Sequence, residues 1–103
     1  MTYRDDEAWT ALADRNRRSI LTTLAAGEQT VGELTRALPI SQPAVSQHLK
    51  VLKQVGLVDD RAEGTRRIYR LNEAGVSALR DQLDTFWRRT MSGFEDLMKE
   101  DGR

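Results

Sequence analysis

The sequence predicts a mainly α-helical domain that carries one small two-stranded β-hairpin. Along most of the chain, apolar residues recur at spacings of three and four, which is the periodicity of helices that pack on a core. Residues suited to starting and stopping helices separate these segments. Between residues 57 and 71 the pattern changes to two short strand-like segments around a glycine. The length of 103 residues is that of one small domain, which we assign to residues 1–103.

Two short helices are predicted at the start of the chain. Residues 5–13 form the first, with acidic residues near its N-terminus, where they favour the helix dipole. Asp14 is a favourable N-cap for the second helix, residues 15–26, and Gly27 is a typical residue after a helix end. The apolar side of the first helix consists of Ala8, Trp9 and Leu12.

The third helix begins with a recognisable start signal and ends just before another helix. Thr30 and Glu33 have the spacing of a capping box. Only Pro39 and Ile40 separate this helix from the next, so the two helices must meet at a sharp angle. This arrangement is typical of a helix-turn-helix motif, which we place at residues 30–55.

The most informative segment, residues 41–58, reads SQPAVSQHLKVLKQVGLV. Ser41 is a favourable N-cap, Pro43 is tolerated in the first turn, and Gly56 is a typical stop. Spacings of four and three predict a stripe of core residues, which are Val45, Leu49 and Leu52. The remaining faces carry side chains suited to base edges and phosphates, namely Gln42, Ser46, Gln47, Lys50, Lys53 and Gln54. We therefore predict a helix that packs against the core with its apolar stripe and places its polar side in a groove of DNA.

The hairpin is predicted from two short segments, residues 57–61 and 65–71. Alternation in the second segment is imperfect, because Ile68 and Tyr69 fall on opposite faces. We expect Tyr69 and Leu71 to face the core and Ile68 to be partly exposed.

A long last helix is predicted over residues 73–100, with Asn72 as its cap. Its apolar positions alternate spacings of three and four, a period near 3.5 that is typical of a helix lying along another helix. These positions are Val76, Leu79, Leu83, Phe86, Thr90, Phe94 and Leu97.

Charge and composition narrow the function classes. The net charge is zero, but residues 41–70 carry six basic against three acidic side chains, which favours a local interaction with a polyanion. The absence of cysteine excludes disulfides and thiol chemistry. No apolar run is long enough to span a membrane, and the N-terminus does not resemble a signal peptide. We expect a cytoplasmic protein that has no membrane partner.

The helix-turn-helix followed by a hairpin predicts a winged helix-turn-helix. Gln42 and Gln47 can bind adenine bidentately, and Lys50 and Lys53 can reach phosphates. The hairpin, residues 57–71, is the predicted wing, which can contact phosphates or the minor groove through Arg61, Arg66 and Arg67. The alternative is an ordinary solvated helix face, with arginines that keep the hairpin edge soluble.

Three segments together resemble the ArsR/SmtB family of bacterial winged-helix repressors. They are LADRNRRSILTTL, the 41–58 segment and RAEGTRRIYRL, and the resemblance covers about residues 8–100. The family implies a homodimer that binds operator DNA at an imperfect inverted repeat and represses transcription by occupying the promoter. By this resemblance, the DNA-reading residues of the helix are Ser41, Gln42, Pro43, Ser46, Gln47, His48 and Lys50. Those of the wing are Arg61, Arg66 and Arg67.

The resemblance also implies that the first and last helices, residues 5–13 and 73–100, form the dimer interface. Aromatic side chains on both helices fit this role, although a small apolar ligand between them is an alternative. The predicted interface residues are Trp9, Leu12, Leu79, Leu83, Phe86, Trp87, Thr90, Phe94 and Leu97.

The sequence departs from the family where metal-sensing members bind their inducer. Residues 33–37 read ELTRA and contain no cysteine, and the last helix has no histidine. His48 is the sole histidine, and one imidazole cannot form a tetrahedral site. The acids of the last helix are interpreted as a solvated face. They are Asp81, Asp84, Glu95 and Asp96. We therefore expect no metal and no cofactor, with repression relieved by a non-metal small molecule or set by the protein level.

Two other function classes fit the sequence less well. A winged helix that binds protein is disfavoured, because residues 42–54 carry no aromatic anchor. An enzyme is disfavoured because the chain has no cysteine, one histidine and no glycine-rich phosphate loop. For His48 we expect a hydrogen bond to a phosphate or to a backbone carbonyl, with a pH switch as the alternative.

Overall fold

The computed structural model describes residues 8–101. Helix α1 is described over residues 8–11, so residues 5–7 of its predicted range lie outside the described part. The elements that follow are α2 (Arg15–Ala25), β1 (Gln29–Thr30), α3 (Val31–Ala37), α4 (Gln42–Gln54), β2 (Val58–Glu63), β3 (Arg66–Leu71) and α5 (Glu73–Asp101). The predicted mainly helical fold with a small β-wing is confirmed.

Helix starts follow the predicted caps. The Asp14 side chain accepts hydrogen bonds from the backbone N–H groups of Asn16 and Arg17, at 2.8 and 3.2 Å. Thr30 and Glu33 form the capping box that opens α3, with bonds of 2.8 and 3.1 Å. The Ser41 hydroxyl oxygen accepts from the Ala44 N–H at 3.3 Å, which fixes the first turn of α4. The start of each of these helices is therefore determined locally.

One apolar core joins the helices to the sheet. Three core residues, Val45, Leu49 and Leu52, lie on α4, and each is at most 1% exposed. The stripe predicted from the sequence is thus the side by which α4 is fixed. The buried core cluster consists of Ala8, Ile20, Leu24, Leu34, Val45, Leu49, Leu52, Leu57, Val58 and Leu79.

The sheet has three antiparallel strands in the order β1-β3-β2, whereas the sequence predicted two. The additional strand β1 pairs with β3 through Gln29 opposite Tyr69 and Thr30 opposite Ile68. The predicted two-stranded hairpin is confirmed as β2 and β3, but β1 was not predicted, because a strand of two residues has no alternation that could reveal it. It forms because the N-cap of α3 has an extended backbone and lies beside β3.

The expected partial exposure of Ile68 was also wrong. Ile68 is 7% exposed, while Tyr69 and Leu71, half-buried, pack against the core on the other face of β3. On its own face Ile68 lies between Thr30 of β1 and Arg61 of β2, which stand opposite it in the two flanking strands. Side chains directly opposite one another share a face, so the third strand helps to cover Ile68.

Helix α5 begins in the core and then leaves it. Leu79 is 7% exposed, but every residue from 86 to 100 is exposed. The described chain measures 67 × 28 × 23 Å along its principal axes, an elongated shape for a small domain. In the described part of the chain, none of the helices combines the length and the apolar character needed to cross a membrane.

The end of α4 and the start of α5 meet at two glycines. Gly56 has a φ of +83°, the left-handed conformation in which glycine follows a helix end without strain. A Cβ added to Gly75 would overlap the carbonyl oxygen of Gly56. Close approach of the two backbones therefore depends on the missing side chain at Gly75.

Replacing Gly75 by alanine is expected to destabilise the fold by about 2 kcal/mol, because the backbone at this junction must shift. The matched control is Gly32→Ala in α3, where an added Cβ makes only ordinary contacts of 3.6 and 3.8 Å. That change should be neutral or stabilise by up to about 1 kcal/mol. Urea unfolding of both variants measures the difference, and equal stability of Gly75→Ala and the wild type would contradict the packing described here.

Candidate nucleic-acid interface

Helix α4 presents a continuous polar surface opposite its buried stripe. Its members are all exposed, and we call them the polar face: Ser41, Gln42, Pro43, Ser46, Gln47, Lys50 and Lys53. The two sides of the helix are separated because residues three and four apart lie on one side. Small side chains near the start of α4 allow its backbone to approach another surface closely, while amides and ammonium groups project from it.

The wing is the hairpin of β2 and β3, which turns at Gly64 and Thr65. Gly64 has a φ of +65°, which fits a tight hairpin turn. All three predicted wing residues, Arg61, Arg66 and Arg67, are exposed. The fold thus brings the predicted wing arginines to one hairpin.

Acidic side chains already bind two of the three wing arginines at the surface. Arg61 donates to both carboxylate oxygens of Glu28, at 2.8 and 3.0 Å, and approaches Glu63 at 3.5 Å. Arg66 donates to Glu63 at 3.3 Å. The hydrogen bond from Arg61 holds the pKa of Glu28 below its ordinary value. These exposed pairs are weak in water, so a phosphate can take the place of the carboxylate.

Asp60 is a different kind of partner, because its side chain is only 7% exposed. Lys53 Nζ lies 2.8 Å from one of its oxygens, and Arg67 donates to the other at 3.0 Å. Asp60 therefore connects the last turn of α4 to strand β3 of the wing. The hydrogen bond from Lys53, followed by that from Arg67, holds the pKa of Asp60 below its ordinary value despite burial.

Sequence reasoning did not identify Asp60 as part of this surface. A signal was present: Asp60 lies two residues after the buried Val58, and alternation places both on the face of β2 that meets α4. What the pattern does not contain is the identity of the partners. Lys53 and Arg67 lie seven residues away on either side, and the fold brings them together.

His48 is half-buried at the edge of α4 and accepts a hydrogen bond there. Its Nδ1 atom accepts from Nε of Arg17, on α2, at 3.2 Å. The contact found thus differs from the expected donation to a backbone carbonyl. A neutral imidazole that accepts at Nδ1 carries its proton on Nε2, so donation to a phosphate stays a prediction. Arg17, which the sequence analysis did not select, lies at the same edge.

The predicted interface residues differ in how much surface they offer. Leu79 is buried in the core, and Trp9, Leu12 and Leu83 are half-buried against it. Trp9 also contacts Phe86 edge-on, with ring centroids 5.7 Å apart. The other five members are exposed on the distal half of α5: Phe86, Trp87, Thr90, Phe94 and Leu97.

The acidic residues of α5 do not gather into a metal site. Within residues 8–100, no three histidine, cysteine, aspartate or glutamate side chains lie close enough together to hold a metal ion. The acids considered from the sequence are all exposed: Asp81, Asp84, Glu95 and Asp96.

The Asp60 network predicts a pH dependence of stability. A folded-state pKa below the ordinary 3.8 means that ionised Asp60 stabilises the fold above that pH and that this contribution is lost as the pH falls through the lower, folded value. We expect Asp60→Asn to be less stable than the wild type at pH 7 and the difference to shrink below about pH 4. Urea unfolding at several pH values measures this difference, and a constant difference down to pH 3 would contradict the ion pairs.

Comparison with known proteins places the helix-turn-helix region of this chain in a known family. The family model described as "Bacterial regulatory protein, arsR family" matches residues 14–60. The chain is 56% identical over 102 residues to the HTH-type transcriptional regulator Rv2034 of Mycobacterium tuberculosis, covering 98% of this chain and 95% of that protein. It is 33% identical over 87 residues to the transcriptional repressor SdpR of Bacillus subtilis, covering 84% and 93% of the two chains.

A solved structure shares the fold. The homodimeric winged helix-turn-helix DNA-binding domain of a possible ArsR-family regulator from Mycobacterium bovis aligns with a TM-score of 0.68 and 33% identity. The alignment covers 82% of this chain and 79% of that one. The matched proteins are regulators, not enzymes. By this similarity over nearly its whole length, the chain belongs to the arsR family of bacterial regulatory proteins.

Proposed function

We propose that this chain is a homodimeric repressor that binds an imperfect inverted repeat in promoter DNA through the polar face of α4 and the wing. The chain is a DNA-binding transcriptional regulator by family. The observation that carries the finer proposal is the division of α4 into a buried stripe and an exposed polar face. Because DNA is in the cytoplasm of a bacterium, we place the protein there.

Within the polar face, side-chain chemistry divides the roles. Gln42 and Gln47 offer paired donor and acceptor groups that match adenine in the major groove. Lys50 and the wing arginines neutralise phosphates, which positions the protein without reading sequence. His48, through its Nε2 proton, and the neighbouring Arg17 extend the phosphate contacts along the edge of α4.

The exposed apolar residues of α5 support dimerisation. Phe86, Trp87, Phe94 and Leu97 are 44 to 57% exposed on a single chain. An apolar surface that continues along a helix is unfavourable in water unless a partner covers it. Two copies related by a two-fold axis would cover it with α1 and α5 and would place their α4 helices near one DNA turn apart, about 34 Å.

A non-metal signal that releases the DNA is compatible with this arrangement. A small apolar ligand between α1 and α5 would change the angle between protomers and therefore the spacing of the two α4 helices. A thermal-shift screen for compounds that both stabilise the protein and release DNA tests this. A negative screen would favour a repressor that is regulated by its own level alone.

Fluorescence anisotropy titration against promoter fragments at two salt concentrations tests the proposed function directly. Binding that weakens steeply with salt is expected, because each neutralised phosphate contributes about −0.9 to the slope of log K against log salt. Absence of binding at low salt would overturn the proposal and favour a protein-interaction module.

Substitutions on the two surfaces should have different effects on DNA binding. Gln47→Ala is expected to relax the preference at one or two base pairs, since it removes a base contact worth about 1–3 kcal/mol. Arg66→Ala should weaken binding to all sequences alike, because it removes a phosphate contact. Titration against a set of single-base variants of the site distinguishes the two effects. If both changes proved silent, the assignment of these faces to DNA would be wrong.

A charge placed on the apolar side of α5 should prevent dimerisation. Leu97→Asp is expected to shift the protein to a monomer, because it buries an unpaired carboxylate between the helices. The matched control is Ser92→Asp, which adds the same charge at an exposed position on the opposite side of α5. Sedimentation velocity at several concentrations measures the assembly. A dimeric Leu97→Asp protein would place the interface elsewhere.

A further inference from the structure

We infer that Asp60 is a positioning residue that determines how well the protein distinguishes its operator from other DNA, an inference that rests on the proposed function. Asp60 holds one cation of the recognition helix α4 and one cation of the wing, Lys53 and Arg67, on the two oxygens of a single carboxylate. The three residues form a unit that we call the Asp60 bridge.

The bridge is built to keep its carboxylate in place. The Asp60 side chain is 7% exposed, whereas the side chains of Lys53 and Arg67 are 54% and 53% exposed. A nearly buried carboxylate is stable only while it is paired, so a phosphate cannot draw both cations away without leaving that charge uncompensated. We therefore expect Lys53 and Arg67 to stay attached to Asp60 when DNA binds.

Attachment to Asp60 leaves both cations able to bind DNA. An ammonium group has three N–H donors and a guanidinium group has five, and the bridge occupies one of each at the distances observed. Ser46, Lys50 and Lys53 follow one another at spacings of four and then three, so they share a side of α4. The bridge therefore presents two oriented donors beside the groove-facing surface, and it fixes the wing relative to α4.

The same arrangement lowers the affinity for DNA in general. With Asp60 ionised, the bridge contributes one net positive charge per protomer instead of two. Free cations would bind phosphates of any sequence, since that attraction carries no sequence information. Asp60 thus reduces the nonspecific attraction of the protein to DNA. It also fixes the two cations in a geometry that suits only a correctly docked duplex.

The test compares Asp60→Asn with its neighbour Asp59→Asn. Both changes remove one negative charge from β2, but Asp59 lies on the other face of that strand and accepts its hydrogen bond from the side chain of Asn72. Asp59→Asn therefore controls for net charge. The probes are a duplex of about 30 base pairs recovered by in vitro selection with the wild-type protein and a duplex of the same composition in scrambled order, each three turns long.

Asp60→Asn should bind the scrambled duplex more tightly, gain little on the selected duplex and lose about 10-fold in the ratio of the two affinities. The slope of log K against log salt should become steeper by up to about 2 per dimer, since the Asp60→Asn dimer can neutralise two more phosphates than the wild type. Asp59→Asn should change both affinities by a similar factor and keep the ratio. Equal ratios and slopes in the two variants would overturn the inference.

Two further measurements keep the result interpretable. If Asp60→Asn does not fold by circular dichroism, Asp60→Glu keeps the charge but displaces it by one methylene, and it should lower the ratio with an unchanged salt slope. A wild-type ratio in Asp60→Glu would overturn the inference. If the wild-type protein shows no preference for the selected duplex, the proposed function fails together with the inference. If the wild type shows a preference and Asp60→Asn retains all of it, only the inference is overturned.

Discussion

Packing of one side of α4 against the core determines which side chains this helix presents to solvent. Val45, Leu49 and Leu52 are nearly free of solvent contact, and burying each side chain contributes about 1.5–3 kcal/mol. A rotation of the helix by one residue, about 100°, would expose this stripe and bring the polar face of α4 toward the core. The free energy cost of burying lysine without a partner excludes that alternative. The side that we propose to face DNA is therefore decided by what the opposite side buries.

The basic residues of this surface lie next to acidic residues, and this pairing reduces the net positive charge there. A net charge of zero is unusual for a protein that binds a polyanion. At the wing, Glu28, Asp60 and Glu63 pair with the arginines directly and compensate part of their positive charge. Under the proposed function, attraction to DNA is thus concentrated at oriented donors instead of being spread over the surface. Such a molecule depends more on geometry than on total charge to stay on its site.

Local signals in the sequence were sufficient for most of the fold and for the elements that carry the candidate site. The caps at Asp14, Thr30 and Ser41 act over three residues, and the apolar spacing of α4 acts over one helix, so each could be predicted from neighbours. The two-residue strand β1, the burial of Ile68 and the ion pairs of Asp60 could not. Each depends on segments far apart in sequence that only the folded chain brings together. Pairing between distant side chains has no periodicity from which it could be predicted.

The decisive measurement is protection of guanine N7 from methylation when the protein is bound to its selected duplex, because N7 is exposed in the major groove. Two α4 helices related by a two-fold axis should protect guanines in two successive major grooves on one side of the duplex, centred about one turn apart. Protection confined to a single groove, or full reactivity of the guanines in a saturated complex, would contradict entry of the polar face into the major groove as a symmetric pair.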